Sequence, residues 1–121
     1  MAKKYSSQEL DEVYNALSNA TRRRILTRLA REGHFAVSDL AEPFKMSLAA
    51  VSKHIKVLEK AGLLEKRRNG TTLYCVPNLE PIRSAGALIK YFEQFLPPET
   101  AEDKRLQQEE QSVQQAELAT A

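Results

Sequence analysis

Cysteine is almost missing from this chain of 121 residues: Cys75 stands alone, so no internal disulfide can form. It lies in an apolar strand-like stretch and reads as a small buried hydrophobe. Histidine is nearly as scarce. His34 and His54 are far apart, with no Cys or His at a chelating interval, which argues against a tight zinc site; no cofactor is expected. The four glycines form no phosphate-cradling loop, there is no cysteine–histidine pair, and the acidic residues fall on predicted exposed helix faces, so the chain does not read as an enzyme. No apolar run approaches the length of a membrane span, and Met1 to Gln8 is polar and basic rather than signal-like. A cytoplasmic protein with no membrane partner is expected.

Charge is present in quantity but unevenly placed. The formal net charge is only +2, yet Ala20 to Tyr74 carries twelve Lys/Arg against five Asp/Glu, a net +7, while residues 1–19 carry −1 and residues 75–121 carry −4. The middle of the chain is therefore the part suited to a polyanion. With 42% apolar residues, one modest core is available, and so small a domain often gains burial by pairing.

Apolar spacing divides the chain. Ser6 with Glu9 is a capping box, and Leu10, Val13, Tyr14 and Leu17 follow on one helical face. Ser18 or Asn19 can cap a second helix reaching Arg31, with Ile25, Leu26 and Leu29 inward and Gly33 as its stop. A short third helix begins about Val37 and ends near Pro43. Ser47 can cap a fourth, in which Val51, Ile55 and Leu58 line one side while Ala49, Ser52, Lys53, Lys56, Glu59 and Lys60 line the other. After Gly62, the strand-like runs flanking Asn69-Gly70 predict a hairpin turning on those two residues, with Lys66, Arg67 and Arg68 approaching its tip. Asn78 can cap a fifth helix that tolerates Pro81 and ends at Pro97-Pro98. Its apolar stripe of Ile82, Ala85, Ile89, Phe92 and Leu96, widened by Leu88 and Phe95, is broader than one small domain can cover.

The expected fold is mainly α with a small β-hairpin: a winged helix-turn-helix of about five helices plus a C-terminal tail, homodimeric. Residues 1–97 form the DNA-binding and dimerisation domain; the Gln/Glu/Ala-rich residues 98–121 form a tail that is helical or disordered. A helix with a slim basic face beside a cationic hairpin suits the major groove of double-stranded DNA. The pairing surface expected from the first and fifth helices comprises Leu10, Val13, Tyr14, Leu17, Ile82, Ala85, Ile89, Phe92 and Leu96.

Three strings in order, Leu17-Ser18-Asn19-Ala20-Thr21-Arg22-Arg23-Arg24-Ile25-Leu26, Val37-Ser38-Asp39-Leu40-Ala41 and Ser47 through Leu63, resemble the ArsR-type winged-helix repressors over about Leu10 to Phe95. A proline usual in that family near Ala20 is missing. The resemblance implies a homodimer that binds a palindromic operator and represses transcription, often of its own operon. It also implies base or phosphate contacts from Ser47, Ala49, Ser52, Lys53, His54 and Lys56, and wing contacts from Lys66, Arg67, Arg68 and Thr71. The family's usual metal sensors are not matched: Ala36 and Ser38 stand where a cysteine pair is common, and Leu79 to Leu96 holds neither Asp nor His. Redox-responsive members use two cysteines, and here there is one. The chain thus resembles the metal-independent, SdpR-like branch, with the effector, a protein or a small molecule, left open.

Other roles stand beside these. Ser47 serves as a helix cap or a phosphate contact; His54 as a helix–helix hydrogen bond or a DNA contact; Arg22 and Arg23 as ion-pairing or phosphate-binding groups. The alternative function is a winged-helix protein-interaction module that does not bind DNA. The basic run Lys66-Arg67-Arg68 favours DNA over that alternative.

Overall fold

The computed structural model describes residues 4–119; residues 1–3 and 120–121, which belong to the two expected segments, lie outside the described residues. Six α-helices and three strands follow in the order α1 (Ser7–Leu17), α2 (Ala20–Glu32), β1 (Phe35–Ala36), α3 (Val37–Leu40), α4 (Leu48–Lys60), β2 (Leu64–Asn69), β3 (Thr72–Pro77), α5 (Glu80–Glu93) and α6 (Ala101–Ala119).

Local chemistry sets most of these boundaries. The Ser6 hydroxyl accepts from the Glu9 N–H at 3.1 Å while the Glu9 carboxylate accepts from the Ser6 N–H at 3.1 Å, closing the capping box of α1. At the next junction Asn19 is the cap, its side-chain oxygen accepting from Arg22 N–H at 3.1 Å; Ser18 instead donates its hydroxyl to the Asn15 carbonyl that α1 leaves open. Gly33, at φ +90°, ends α2 with its N–H donating to the Leu29 carbonyl. The one-turn α3 is followed by a 3-10 turn, Glu42–Phe44, which takes Pro43 where a missing N–H costs little. Lys45, at φ +52°, then reverses the chain into Ser47, which caps α4.

One core unites these elements. Val13 and Ala16 of α1, Ile25, Leu26 and Leu29 of α2, Leu40 of α3 and Val51, Ile55 and Leu58 of α4 meet Leu63, Leu64, Cys75 and Ala85. Each fully buried Leu or Ile contributes about 1.5–3 kcal/mol relative to its exposed state. The phenol of Tyr14 fastens α5 to α1 by donating to the Ala85 carbonyl at 2.8 Å. Helix α6 packs back on α2. It starts from a reciprocal pair, Thr100 and Asp103, each accepting at 3.1 Å from the other's N–H; the Thr100 N–H, and after it the Thr100 side chain, lower the Asp103 pKa by hydrogen bonding to its carboxylate.

Three expectations are corrected. The sheet has three strands, because Phe35 and Ala36 pair antiparallel with Cys75 and Tyr74, giving the order β1-β3-β2. The hairpin turns on Gly70-Thr71 rather than Asn69-Gly70: Asn69 pairs with Thr72, and only Gly70, at φ +63°, has positive φ, the signature of a type II′ turn. Helix α5 ends at Glu93, short of Leu96, with Phe95 and Leu96 in a turn. Of the two alternatives for the tail, helical or disordered, residues Ala101–Ala119 are helical.

Candidate nucleic-acid interface

Helix α4 is sealed on one side and open on the other. Val51, Ile55 and Leu58 are wholly buried, while Ala49, Lys53 and Lys56 are exposed and Ser52 is half-buried beside them. The three-and-four spacing places these last residues on one arc. Among the described residues neither lysine forms an ion pair, so both ammonium groups are available to an anion. A helix about 10–12 Å across fits the roughly 12 Å major groove of B-form DNA.

At the N-terminus of this helix Ser47 is a cap, its oxygen accepting from Ala50 N–H at 3.2 Å. That bond uses a lone pair and leaves the hydroxyl hydrogen free to donate, so capping does not compete with a phosphate contact. Two further exposed residues frame the same end: Lys45 in the turn and Leu48, 48% exposed, at the first helical position. Sequence reasoning passed over both. A basic residue two places before a cap was the available signal for Lys45.

His54 faces the junction of α1 and α2. Its Nδ1 lies 3.3 Å from Arg22 Nη1, and since a guanidinium only donates, Nδ1 is the accepting nitrogen and the proton sits on Nε2. Burial, reinforced by the Arg22 charge, lowers the His54 pKa from its usual value. Arg22 also donates to the carbonyls of Ala16 at 2.9 Å and Asn15 at 2.8 Å, and Arg23 donates to that of Leu17 at 2.7 Å. Both guanidiniums therefore cap the C-terminus of α1, where the helix dipole favours a cation. The expected alternatives of ion pairing or phosphate binding omitted this role.

The wing presents its cations unequally. Along β2 alternate side chains share a face, which groups Leu64, Lys66 and Arg68 against Glu65, Arg67 and Asn69. Lys66 sits at the root, paired in register with buried Cys75, and its Nζ is 3.6 Å from Glu59 Oε1. Arg67 is 3.0 Å from Glu65 on the outer face. Arg68 is exposed and, among the described residues, unpaired; Thr71 is exposed in the turn. Burial pushes the Cys75 thiol up to about 11, so it remains protonated and inert.

The expected pairing surface separates into two groups. Val13 and Ala85 are consumed by the subunit's own core, a correction to their expected place at an interface, and Leu10, Tyr14, Leu17 and Ile82 are half-buried. Ile89, Phe92 and Leu96 remain open at 59, 57 and 61% exposure. Leu88, Tyr91 and Phe95 extend the patch, with the Tyr91 ring edge-on to Phe92 and Phe95 at 5.6 Å. Among the described residues no three His, Cys, Asp or Glu side chains gather into a set that could hold a metal ion, and no helix is long and apolar enough to cross a membrane.

Comparisons with known proteins agree with this geometry. A helix-turn-helix domain family model matches residues 17–67, from the end of α1 into β2. The transcriptional repressor SdpR of Bacillus subtilis is 34% identical over 65 residues, covering 54% of this chain and 71% of SdpR. The chain spans about half the length of two further curated regulators, 48 and 56%. Among solved structures, an ArsR family transcriptional regulator is 32% identical, with a TM-score of 0.68 over 83% of this chain and 100% of that one. The homodimeric winged helix-turn-helix DNA-binding domain Mb0332 of Mycobacterium bovis is 27% identical, with a TM-score of 0.58 over 83% of this chain and 97% of that one.

Proposed function

Because this chain belongs to the ArsR family of winged helix-turn-helix transcriptional regulators, we propose that it acts as a homodimeric repressor reading a palindromic operator through α4. The observation that carries the reading is the two-sided character of that helix: one face closed by the core, the other offering two unpaired lysines. Lys53 and Lys56, with Ser47, Ala49 and Ser52, contact bases and phosphates in the major groove. Arg68 and Thr71 meet the flanking backbone. Wing arginines on phosphate position the protein without specifying sequence.

The open apolar patch on the end of α5 and the turn after it supports the dimer. Six large apolar side chains between Leu88 and Leu96 stand 40–67% exposed, a patch that a second copy would cover. The homodimeric state of the Mycobacterium bovis relative points the same way. Two-fold symmetry then spaces the paired α4 helices about one duplex turn, roughly 34 Å, so that each enters a successive major groove. Control is independent of the family's usual metal sensors, since Ala36 and Ser38 offer no thiolate and α5 contains no Asp or His.

Selection of bound duplexes from a random pool, followed by gel-shift titration, tests the reading. Replacing Lys53 and Lys56 together with alanine removes four cations from the dimer. At about 0.9 per phosphate the salt slope then falls by up to about 3.6. Thermal stability stays within about 0.5 kcal/mol, because both side chains are solvent-facing. Unchanged affinity and slope in the double variant, or no enrichment of an inverted repeat, would reject α4 as the reading helix. A large change in affinity on adding zinc, nickel or arsenite would reject metal independence.

A further inference from the structure

The contact between Glu59 and Lys66 joins the element proposed to read bases to the element proposed to grip the backbone. Lys66 is the only wing cation whose ammonium is turned back onto α4: it lies on the inner face of β2, opposite buried Cys75, with Nζ 3.6 Å from Glu59 Oε1. Its side chain is 24% exposed, against 65% for Arg67. It lies four positions before Gly70, a distance of about 13 Å along a strand, so it belongs to the wing's root. Both charged groups also act on Cys75: burial has the largest effect and raises its pKa, Lys66 opposes it and Glu59 adds to it. A surface groove of about 400 Å³, lined by Glu59, Gly62, Leu64, Glu65, Lys66 and Asn78, lies beside the pair.

We propose that Glu59 and Lys66 are a positioning pair that sets the angle between α4 and the wing, so that the phosphate grip falls to Arg68 and Lys66 makes no DNA contact. The assignment rests on the repressor reading above and deepens it. A carboxylate on a DNA-facing helix repels phosphate, and its presence at residue 59 is explained by what it holds. A partly exposed ion pair shifts a conformational equilibrium by up to about fivefold, enough to order the wing without greatly changing global stability.

The sign of one substitution separates this from the simpler view that Lys66 is a phosphate ligand restrained by Glu59. Removing the carboxylate as Glu59→Gln lowers operator affinity about three- to fivefold if the pair positions the wing, despite the lost negative charge. It raises affinity if Lys66 is thereby freed for DNA. Lys66→Met lowers affinity by a similar factor with an unchanged salt slope, whereas Arg68→Ala reduces the slope by about 0.9 per protomer. The charge-reversed double variant Glu59→Lys/Lys66→Glu restores affinity to within about twofold, which a phosphate-binding lysine would not allow. Spin labels at Lys60 and Thr71 supply a reading without DNA: the distance distribution broadens in Glu59→Gln and narrows again in the reversed pair. Tighter binding by Glu59→Gln, a slope loss in Lys66→Met, or failure of the reversed pair overturns the assignment. If the wild type selects no operator, the repressor reading fails instead, and the spin-label distances still decide whether the pair holds the wing.

Discussion

Replacing Phe92 with alanine is the sharpest test of the apolar face on α5. Phe92 is 57% exposed in the single subunit. An aromatic side chain presents about 200 Å², so about 110 Å² per copy is available to a partner. At about 25 cal/mol per Å², burying that surface contributes nearly 3 kcal/mol, and alanine retains only a small part of it. Symmetry counts the loss twice, for about 4–5 kcal/mol across the interface. The dimer dissociation constant should therefore rise by about a thousandfold or more. Sedimentation equilibrium over a wide concentration range, with wild type and variant side by side, reads this directly. The fold of each subunit should survive, since Phe92 lies outside the core formed by Val13, Ile25, Leu29, Ile55 and Leu58, and far-ultraviolet circular dichroism checks that. An unchanged dissociation constant would show that α5 does not pair with a second copy through this residue. A wild type that stays monomeric at every concentration would remove the dimer altogether.

Two further substitutions probe α4. Ser47→Ala removes the cap on Ala50 N–H and should cost about 1 kcal/mol, seen as a lower urea midpoint with unchanged slope; Ser47→Asp should keep the cap and the stability while weakening DNA binding, because a carboxylate replaces the hydroxyl donor beside phosphate. Equal DNA binding by the aspartate variant would confine Ser47 to capping. For His54, burial and then Arg22 hold the folded-state pKa below the ordinary 6.5, so the unfolded chain takes up its proton first as pH falls. Its contribution to stability is complete above pH 6.5 and is lost as pH drops through 6.5 towards the folded-state pKa. Denaturation midpoints from pH 8 to 5 should fall more steeply for wild type than for His54→Gln, and coincident curves would contradict a His54 pKa lowered by burial and Arg22.

Helix positions were legible from the chain because they depend on neighbours three and four residues apart. Ser6 with Glu9, Asn19 ahead of Arg22 and Ser47 ahead of Ala50 each satisfy an open N–H with a side chain from the adjacent turn, and Gly33 ends α2 at a positive φ unfavourable to other residues. The same logic was available for Thr100 and Asp103, whose spacing is a capping pattern; the polar composition of the tail concealed it. Strand β1 was not legible. Two residues display no period, and Phe35-Ala36 is a strand only because Cys75 and Tyr74 lie alongside. The wing turn was displaced by one residue for a related reason: Asn69-Gly70 is a good local turn, but pairing from Leu64↔Pro77 to Asn69↔Thr72 carries Asn69 into the ladder and leaves Gly70-Thr71 to close it.

The functional face divides along the same line. That α4 has a buried stripe and a basic arc follows from 3.6-residue periodicity alone, so Lys53 and Lys56 could be singled out without coordinates. Which cations remain free could not be read that way. Arg22 turns from solvent to the carbonyls of Asn15 and Ala16, Lys66 from the wing surface to Glu59, and Val13 and Ala85 from a second subunit to the interior of their own. Periodicity assigns a side chain to a face of its own helix or strand. The group across from that face belongs to a distant part of the chain, and only three-dimensional packing decides whether it is solvent, a carbonyl, a carboxylate or a core.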